Sequence, residues 1–458
     1  MHDLTSGSVS RHLLKTTGFM LVTMIFQTLY FLIDLYWVGR LGTTSVAGVA
    51  IAGNLTFIVL ALTQMLGVGT TTLISHAAGR KDHADALIVF NQSQVLAMVV
   101  GVAFLAVGLV SAHPYTRAMS ADAETARLAN SYLAWYVPAM ALQFAMVAMG
   151  SALRGVGNFK PGMVVSTATV VLNMLLAPVL IFGWGTGRPL GVAGAAMSTF
   201  VSVVVGLVWF LYYFKPGAYL HFVVADWKPK FGMWKRMLAV GLPAGFEFAL
   251  MAVYLVIVYS VTRPFGAAAQ AGFGIGQRVI QAGFMPIVAL GFAVAPVAGQ
   301  NVGARLPERV RATYKDAVVM ATVGMAVFAL LCHIAPAALI GVFSKDPAAI
   351  SVGDEYLRIV SWNYVASGIL FVNSSMFQAL GNTIPSVIAS VIRIILVGVP
   401  AVIISRMPGF QLTWLWYVAV GAVLVQLVLS LLLLQREFRK RLASGAPAVG
   451  STGAEAIA

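Results

Sequence analysis

The chain has 458 residues, of which 60% are hydrophobic and only 10% are charged, and its mean hydropathy is +0.89. A soluble globular chain carries about 25% charged residues, so this composition excludes an ordinary soluble domain. The net charge of +14 does not indicate nucleic-acid binding, because the Lys and Arg residues lie in short segments between apolar runs and form no continuous basic face.

Apolar runs of about 20 residues recur along the whole chain, which is typical of transmembrane helices. We predict an all-α membrane protein whose twelve spans lie at 14–39, 45–73, 90–112, 128–152, 161–183, 190–213, 237–262, 268–297, 315–343, 355–380, 384–405 and 412–434. The polar N-terminus and the long first run argue against a cleavable signal peptide. Most Lys and Arg lie on the side of both termini, which are therefore expected in the cytoplasm of a bacterial inner membrane.

An internal repeat divides the spans six and six. An offset of 224 residues aligns the halves without gaps, and it places Gly42, Gly48, Gly157, Asn158 and Pro161 on Gly266, Gly272, Gly381, Asn382 and Pro385. We predict an N-lobe at 1–213, a cytoplasmic linker at 214–236, a C-lobe at 237–434 and a basic, disordered tail at 435–458. The two six-helix lobes are expected to be related by a pseudo-two-fold axis, as in transporters that bind substrate between their halves.

Asp34 lies inside the first span, and Glu247 is the only other acid well inside a span. A charge at this depth costs about 2.5–3.5 kcal/mol on insertion scales, so such an acid is expected to have a function. Tyr30 and Gln27 precede Asp34 by one and two turns on the same helix face, and Trp37 lies close to that face. The carboxylate can exchange a proton or bind Na⁺; the alternative is a structural acid that is hydrogen-bonded to a neighbouring helix.

Other polar residues within the spans are weaker candidates. Asn54 and Gln64 could face a substrate cavity, although such side chains often only join helices. Glu247 could serve transport or could form a structural ion pair with Arg278 or Arg393, and both possibilities stay open. No histidines have metal-ligand spacing, the single Cys332 excludes a disulfide or cysteine-based metal site, and no ATPase phosphate loop is present. We therefore expect no cofactor, and an ion gradient as the energy source.

Several motifs resemble the multidrug and toxic compound extrusion (MATE) family. In the first half these are 27–42 (Gln-Thr-Leu-Tyr, Asp34, Trp-Val-Gly and Leu-Gly), Gly67–Ser75 and Leu153–Asn158. In the second half, Phe273–Arg278 and Gly299–Ala304 resemble the branch named for the DNA-damage-inducible member. The resemblance covers nearly the whole chain.

The resemblance implies a monomeric, cation-coupled exporter of amphipathic, often cationic drugs, which works by alternating access in contact with membrane lipids. It implies a site for H⁺ or Na⁺ at Asp34, Asn173 and Thr199, with Tyr30 as a hydrogen-bonding neighbour. Our candidates for the substrate cavity are Gln27, Trp37, Asn54, Gln64, Glu247, Gln277, Arg278 and Arg393.

Two positions depart from some archaeal members of the family. Ala177 replaces a second aspartate, so H⁺ is favoured over Na⁺. Phe19 stands where those members have a proline that bends the first helix, which leaves only Gly18 to permit flexing.

Two other functions are alternatives to drug export. A flippase or exporter of a lipid-linked or polysaccharide precursor would need a strongly cationic cavity, for which only Arg278 and Arg393 are available. A membrane-embedded enzyme would need convergent polar groups, which the sequence does not indicate. We predict a transporter and not an enzyme.

Overall fold

The computed structural model describes residues 2–185 and 187–442, and all regular structure in these ranges is helical. The helices of the first half are α1 (Val9–Gly39), α2 (Thr43–Gly53), α3 (Thr56–Gly79), α4 (His83–Met119), α5 (Ala123–Gly155), α6 (Phe159–Phe182) and α7 (Val192–Tyr213). Those of the second half are α8 (Phe231–Thr262), α9 (Ala267–Gly303), α10 (Pro307–Ile334), α11 (Pro336–Gly341), α12 (Pro347–Val360), α13 (Tyr364–Leu380), α14 (Ile384–Ile404) and α15 (Leu412–Arg441). Short 3₁₀ turns lie at Val224–Trp227, Arg263–Phe265 and Ser361–Asn363.

The predicted spans correspond to these helices, and the all-α class is confirmed. Within the described residues, 11 helical segments are long and apolar enough to cross a membrane, with α2 and α3 counted together as one. The tenth predicted span, 355–380, is divided by the 3₁₀ turn at Ser361–Asn363 into α12 and α13, of 14 and 17 residues. Neither piece alone is long enough to be counted, which accounts for the difference from twelve.

Two predicted boundaries are corrected. The ninth span does not continue to 343, because helix α10 ends at Ile334 and Pro336 opens the separate short helix α11. A proline lacks the amide hydrogen that an uninterrupted helix would need at that point. At the C-terminus, helix α15 continues to Arg441, and residues 443–458 of the predicted tail lie outside the described residues.

The described residues form two compact units: residues up to Asp3 with Gly18–Gly245, and Leu4–Thr17 with the described residues from Phe246 onward. Helices α1 and α8 therefore each contribute residues to both units. The first unit has two large apolar cores, one around Phe90 and Phe144 and the other around Leu133 and Ile181. The second unit has one large core, which contains the fully buried Trp416.

The 224-residue repeat is visible in the backbone. Lys81 and Arg305, which are 224 residues apart, have φ of 59° and 57° and are the only non-glycine residues with positive φ in the described ranges. Gly157 and Gly381 both have φ of 76° at the ends of α5 and α13. The two halves thus repeat local chain geometry at the offset that the sequence predicts.

Candidate cation-coupling site

Three residues distant in sequence meet in the first unit. The hydroxyl of Tyr30, on α1, lies 3.1 Å from Thr199 Oγ1 on α7. Asn173 Nδ2, on α6, donates a hydrogen bond of 3.0 Å to the same oxygen. Thr199 Oγ1 is also 3.3 Å from the carbonyl oxygen of Ala195 on its own helix. Thr199 is therefore the common partner of the side chains from α1 and α6.

The close packing of α6 on α7 sets the distance between Asn173 and Thr199. A Cβ at Gly194 would lie 2.6 Å from the carbonyl oxygen of Leu180, so only glycine fits there. Leu190 N also donates to Leu180 O at 3.0 Å, which closes the connection between the two helices. Small residues at such contacts let helix backbones approach closely in a membrane. Asn173 and Thr199 are consequently both buried.

Asp34 lies one turn beyond Tyr30 on α1 and is half-buried. Its Oδ1 atom is fully buried and has no hydrogen-bond partner, and no described basic side chain forms an ion pair with it. A buried acceptor without a partner costs free energy, which a proton or a cation on the carboxylate would relieve. Asn173 Oδ1 is a second buried oxygen without a partner.

Two further tyrosines, which the sequence did not indicate as site residues, lie near Asp34. Tyr132 and Tyr136, on α5, stack with ring centroids 5.3 Å apart. Both are close enough to Asp34 for an electrostatic interaction with its carboxylate. The hydroxyl of Tyr136 lies 3.4 Å from Thr56 Oγ1 at the start of α3. In the sequence, only the i, i+4 spacing of the two tyrosines is informative. It places them on one helix face, but it does not show which residues that face contacts.

Ala177 occupies the position where some archaeal members have a second aspartate. It is 1% exposed and belongs to the same apolar core as Val38 and Ile181. Among the described residues, no three or more His, Cys, Asp or Glu side chains form a group that could hold a metal ion. Asp34 is therefore not joined by a second acid at the position of Ala177.

The remaining first-half candidates do not join the Tyr30–Asn173–Thr199 cluster. Trp37 packs edge-on against Phe182 and Trp184, with ring centroids 6.0 and 5.7 Å away. Gln27 is exposed, Gln64 is half-buried within α3, and Asn54 is exposed at the end of α2, where the second span is interrupted. None of these side chains bonds to a cluster residue within the described ranges.

Glu247 is held by serine hydroxyls in the second unit. Ser386 Oγ donates to Oε1 at 3.0 Å, Ser390 Oγ to Oε1 at 3.1 Å, and Ser374 Oγ to Oε2 at 3.2 Å. Gln426 Nε2 in turn donates to Ser390 Oγ at 3.3 Å. The three serines come from α13 and α14, and the glutamine from α15. The carboxylate is therefore solvated by protein hydroxyls.

The ion pair that the sequence left open for Glu247 is not formed. Arg393 instead lies over the ring of Tyr254, with its guanidinium carbon 5.4 Å from the centroid, and its buried Nε has no hydrogen-bond partner. Arg278 is exposed. Gln277 Nε2 donates to the hydroxyl of Tyr356 at 3.1 Å, away from Glu247.

The chain belongs to the MATE family of membrane transporters: the family model described as MatE matches residues 20–179 and 243–404, more than half of its length. It is 26% identical over 85% of its length to the probable multidrug resistance protein YpnP of Bacillus subtilis (strain 168), of which it covers 87%. It is 24% identical over 87% of its length to the FAD transporter of Shewanella oneidensis (strain MR-1), of which it covers 88%.

Solved structures agree with this assignment. A multidrug resistance MATE family transporter of the MOP superfamily, in an outward-facing conformation, superposes with a TM-score of 0.88 at 25% identity. The match covers 96% of this chain and 98% of the other. The protein is thus a multi-pass membrane protein with the twelve-helix, two-lobe fold of MATE transporters. Several relatives are named as multidrug resistance or export proteins, and one is named as an FAD transporter.

Proposed function

We propose that this protein exports amphipathic, often cationic compounds in exchange for a cation, with H⁺ favoured over Na⁺, and that Asp34 carries the coupling. The observation that supports this most directly is the buried, unpartnered Oδ1 of Asp34. Tyr30, one turn before Asp34 on α1, is hydrogen-bonded to Thr199 on α7, which also accepts from Asn173 on α6. An acid kept in the membrane without a basic partner is available for a ligand that brings positive charge.

The coupling follows from competition for one charge. Deprotonated Asp34 attracts a cationic substrate, and a proton on the carboxylate removes that attraction. By linkage, each ligand weakens the binding of the other by the same factor. Alternating access then requires only that the proton and the substrate bind at opposite stages of the cycle.

The ligand supply favours H⁺. Thr199 Oγ1 already accepts from Asn173 and contacts Tyr30, so these groups are engaged with one another. Na⁺ is a hard cation that needs several oxygen ligands, and among the four residues of the proposed site only Asp34 Oδ1 and Asn173 Oδ1 are buried oxygens without partners. A proton needs only the carboxylate. The apolar surroundings of Ala177 offer no second acid.

Efflux from everted membrane vesicles tests this proposal. Uptake of a fluorescent cationic dye is driven separately by a pH gradient and by a Na⁺ gradient, in the wild type, Asp34→Asn and Glu247→Gln. We expect the pH gradient alone to drive transport, and Asp34→Asn to reduce the rate by about tenfold or more. Coupled transport at the wild-type rate in Asp34→Asn would refute the role of Asp34, and transport driven by Na⁺ alone would refute the choice of ion.

We also propose the bacterial inner membrane as the location, a monomer as the active form, and a DNA-damage-inducible-like branch within the family. Both termini lie in the cytoplasm, and the N-lobe is 1–213, the linker 214–236 and the C-lobe 237–434. Helix α8 begins within the linker at Phe231, and helix α15 continues into the tail 435–458 as far as Arg441. The distribution of Lys and Arg supports the orientation. Single cysteines placed in Cys332→Ala protein, at Lys81 and at Arg188, would be labelled from opposite sides by an impermeant thiol reagent.

A second candidate is an anionic substrate. The relative from Shewanella oneidensis is named as an FAD transporter, and FAD carries phosphate groups. In this chain, Arg393 has a buried Nε without a partner, which a phosphate oxygen could accept from. FAD uptake into the same vesicles, with Arg393→Gln as the matched variant, decides between the two. Uptake of FAD that is lost in Arg393→Gln and kept in Asp34→Asn would favour the anionic substrate.

A further inference from the structure

A groove of about 400 Å³ lies in the first unit, between α4, α5 and α7. Small residues, Gly101, Ala141 and Ala145, line it where α4 and α5 approach closely. A Cβ at Gly101 would lie 2.7 Å from the carbonyl oxygen of Ala141. Apolar side chains such as Met98 and Leu211 complete its walls. None of the four residues proposed for cation coupling lines this groove.

Along α4 the groove is about as long as one membrane leaflet is thick. On α4 it extends from Gln94 to Leu105, which is about 16 Å at 1.5 Å per residue. The hydrocarbon core of a bilayer is about 30 Å thick, so one leaflet contributes about half of that. At one end the groove is bounded by Phe222 and Trp227, from the segment that connects α7 to α8. Aromatic residues commonly lie at this level, where hydrocarbon meets head groups.

The bounding segment is fixed in place by two side chains of α4. Trp227 Nε1 donates to Asn91 Oδ1 at 3.2 Å. Gln92 Nε2 donates to the carbonyl oxygen of Lys228 at 2.7 Å, and Gln92 Oε1 accepts from Lys230 N at 2.8 Å. These hydrogen bonds within the protein hold the end of the groove in place.

The rim at this end is positively charged. Lys228 directly follows Trp227, and Lys215 lies four residues after Leu211; both side chains are exposed. The nearby acid, Asp226, forms an ion pair of 2.7 Å with Lys230. Lys215 Nζ lies 4.9 Å from the ring centroid of Tyr212, the residue after Leu211. Two exposed lysines thus lie within four residues, along the chain, of residues that line the apolar groove. That combination attracts an anionic amphiphile and repels a cationic one.

We propose that this groove binds an anionic phospholipid, with one acyl chain along α4 and its phosphate near Lys215 and Lys228. The charge at the rim argues against entry of the cationic compounds that the protein is proposed to export. Each lysine close to a membrane surface strengthens the binding of anionic lipid head groups. The site is independent of Asp34 and of the direction of transport.

Native mass spectrometry of the purified full-length protein tests the site. Phosphatidylglycerol and phosphatidylcholine with the same acyl chains are titrated separately, and retained lipids are counted. We expect one retained phosphatidylglycerol, bound about tenfold or more tightly than phosphatidylcholine. The double variant Lys215→Gln/Lys228→Gln should remove this preference, and Ala145→Trp, which fills the groove, should prevent retention.

Matched controls separate the groove from general lipid contact. Ala106→Trp adds the same ring to an exposed position of α4 that does not line the groove, and Lys160→Gln removes an exposed lysine at the start of α6. Both should bind phosphatidylglycerol like the wild type. Equal retention of the two lipids by the wild type, unchanged preference in the double lysine variant, or displacement of the lipid by a cationic dye would each overturn the proposal. The lysine variant alters only exposed side chains, so its result stands even where Ala145→Trp fails to fold.

Discussion

The two intramembrane acids differ in what surrounds them. Glu247 accepts hydrogen bonds from three serine hydroxyls, whereas Asp34 has a buried oxygen with no partner. At the repeat offset, Asp34 corresponds to the buried Val258 and Glu247 to Thr23, so neither acid is matched by an acid in the other half. The fold is repeated, but each carboxylate belongs to one half alone. The carboxylate of Glu247 is stabilised by hydrogen bonds within the protein. The carboxylate of Asp34 has an oxygen without a hydrogen-bond partner, to which a proton or a cation can bind.

We expect the largest difference between the two acids in the release of protons when a substrate binds. A cationic substrate added to purified protein in weakly buffered detergent should displace a proton from Asp34, which a pH-sensitive dye records. Asp34→Asn should lower the signal by about tenfold or more, and Glu247→Gln should leave it within about twofold. The reverse pattern would transfer the coupling to Glu247.

A smaller effect concerns the stability that Glu247 provides. Replacing it with Leu leaves three serine hydroxyls without their acceptor, whereas Gln retains one carbonyl oxygen for them. Hydrogen bonds to charged groups contribute about 1.5–3 kcal/mol each before solvent exposure is discounted. We therefore expect Glu247→Leu to lower Tm by several degrees in scanning fluorimetry, and Glu247→Gln to lower it less. An unchanged Tm in Glu247→Leu would contradict a stabilising serine network.

The next comparison concerns two neighbouring hydroxyls on α7. Thr199 contacts Tyr30 and Asn173, whereas Ser198 bonds only to the carbonyl oxygen of Ala195 on its own helix, at 2.7 Å. We expect Thr199→Val to reduce pH-driven dye transport several-fold, because the cluster loses its common partner. Ser198→Ala should leave the rate within about twofold. Equal rates in both variants would show that the cluster is not needed for coupling.

The smallest effect compares the caps of two helices. Asp122 caps α5 by accepting from Thr125 N at 2.7 Å and Thr125 Oγ1 at 2.9 Å. Asp346, 224 residues later, caps α12 through one bond of 3.0 Å from Ala348 N. Asp122→Ala should therefore lower Tm more than Asp346→Ala, by about a degree or two.

The contribution of Asp122 should depend on pH in a defined direction. The hydrogen bonds from the backbone and side chain of Thr125 lower the pKa of Asp122 below its usual value. A lowered folded-state pKa stabilises the protein fully above the unfolded value, about 3.9, and the contribution is lost as pH falls through the folded value. The Tm difference between wild type and Asp122→Ala should thus be constant near neutral pH and shrink under strong acid. A difference that grows with acidity would contradict this sign.

The sequence was sufficient to predict the helices and the repeat, and it also identified Asp34 as an unusual residue within a span. Long apolar runs are needed to cross lipid, and an acid within one is expensive wherever it lies. The break at Ser361–Asn363 carries no proline or glycine and depends on packing, so it could not be predicted. Helix α10 ends early, beside Pro336. This proline is a helix-ending signal, but the apolar run continues past it, and the predicted span followed the apolar run.

Most of the candidate site required the structure. Asn173 and Thr199 came from the family resemblance, and their contact depends on how α6 packs on α7. Ser374, Ser386 and Ser390 are ordinary serines in the sequence, and only the arrangement of α13 and α14 brings them to Glu247. Single polar residues in apolar helices do not reveal which neighbour they meet.

The paired turns at Lys81 and Arg305 have a consequence for how the chain is made. A left-handed backbone at a non-glycine residue costs about 1–2 kcal/mol, and glycine would remove that cost at both turns. Lysine and arginine, however, are the residues by which the insertion machinery orients each hairpin of helices during synthesis. Each half thus has a basic residue, and not glycine, at its left-handed turn, so the backbone strain is accepted at a position where positive charge favours the cytoplasmic side.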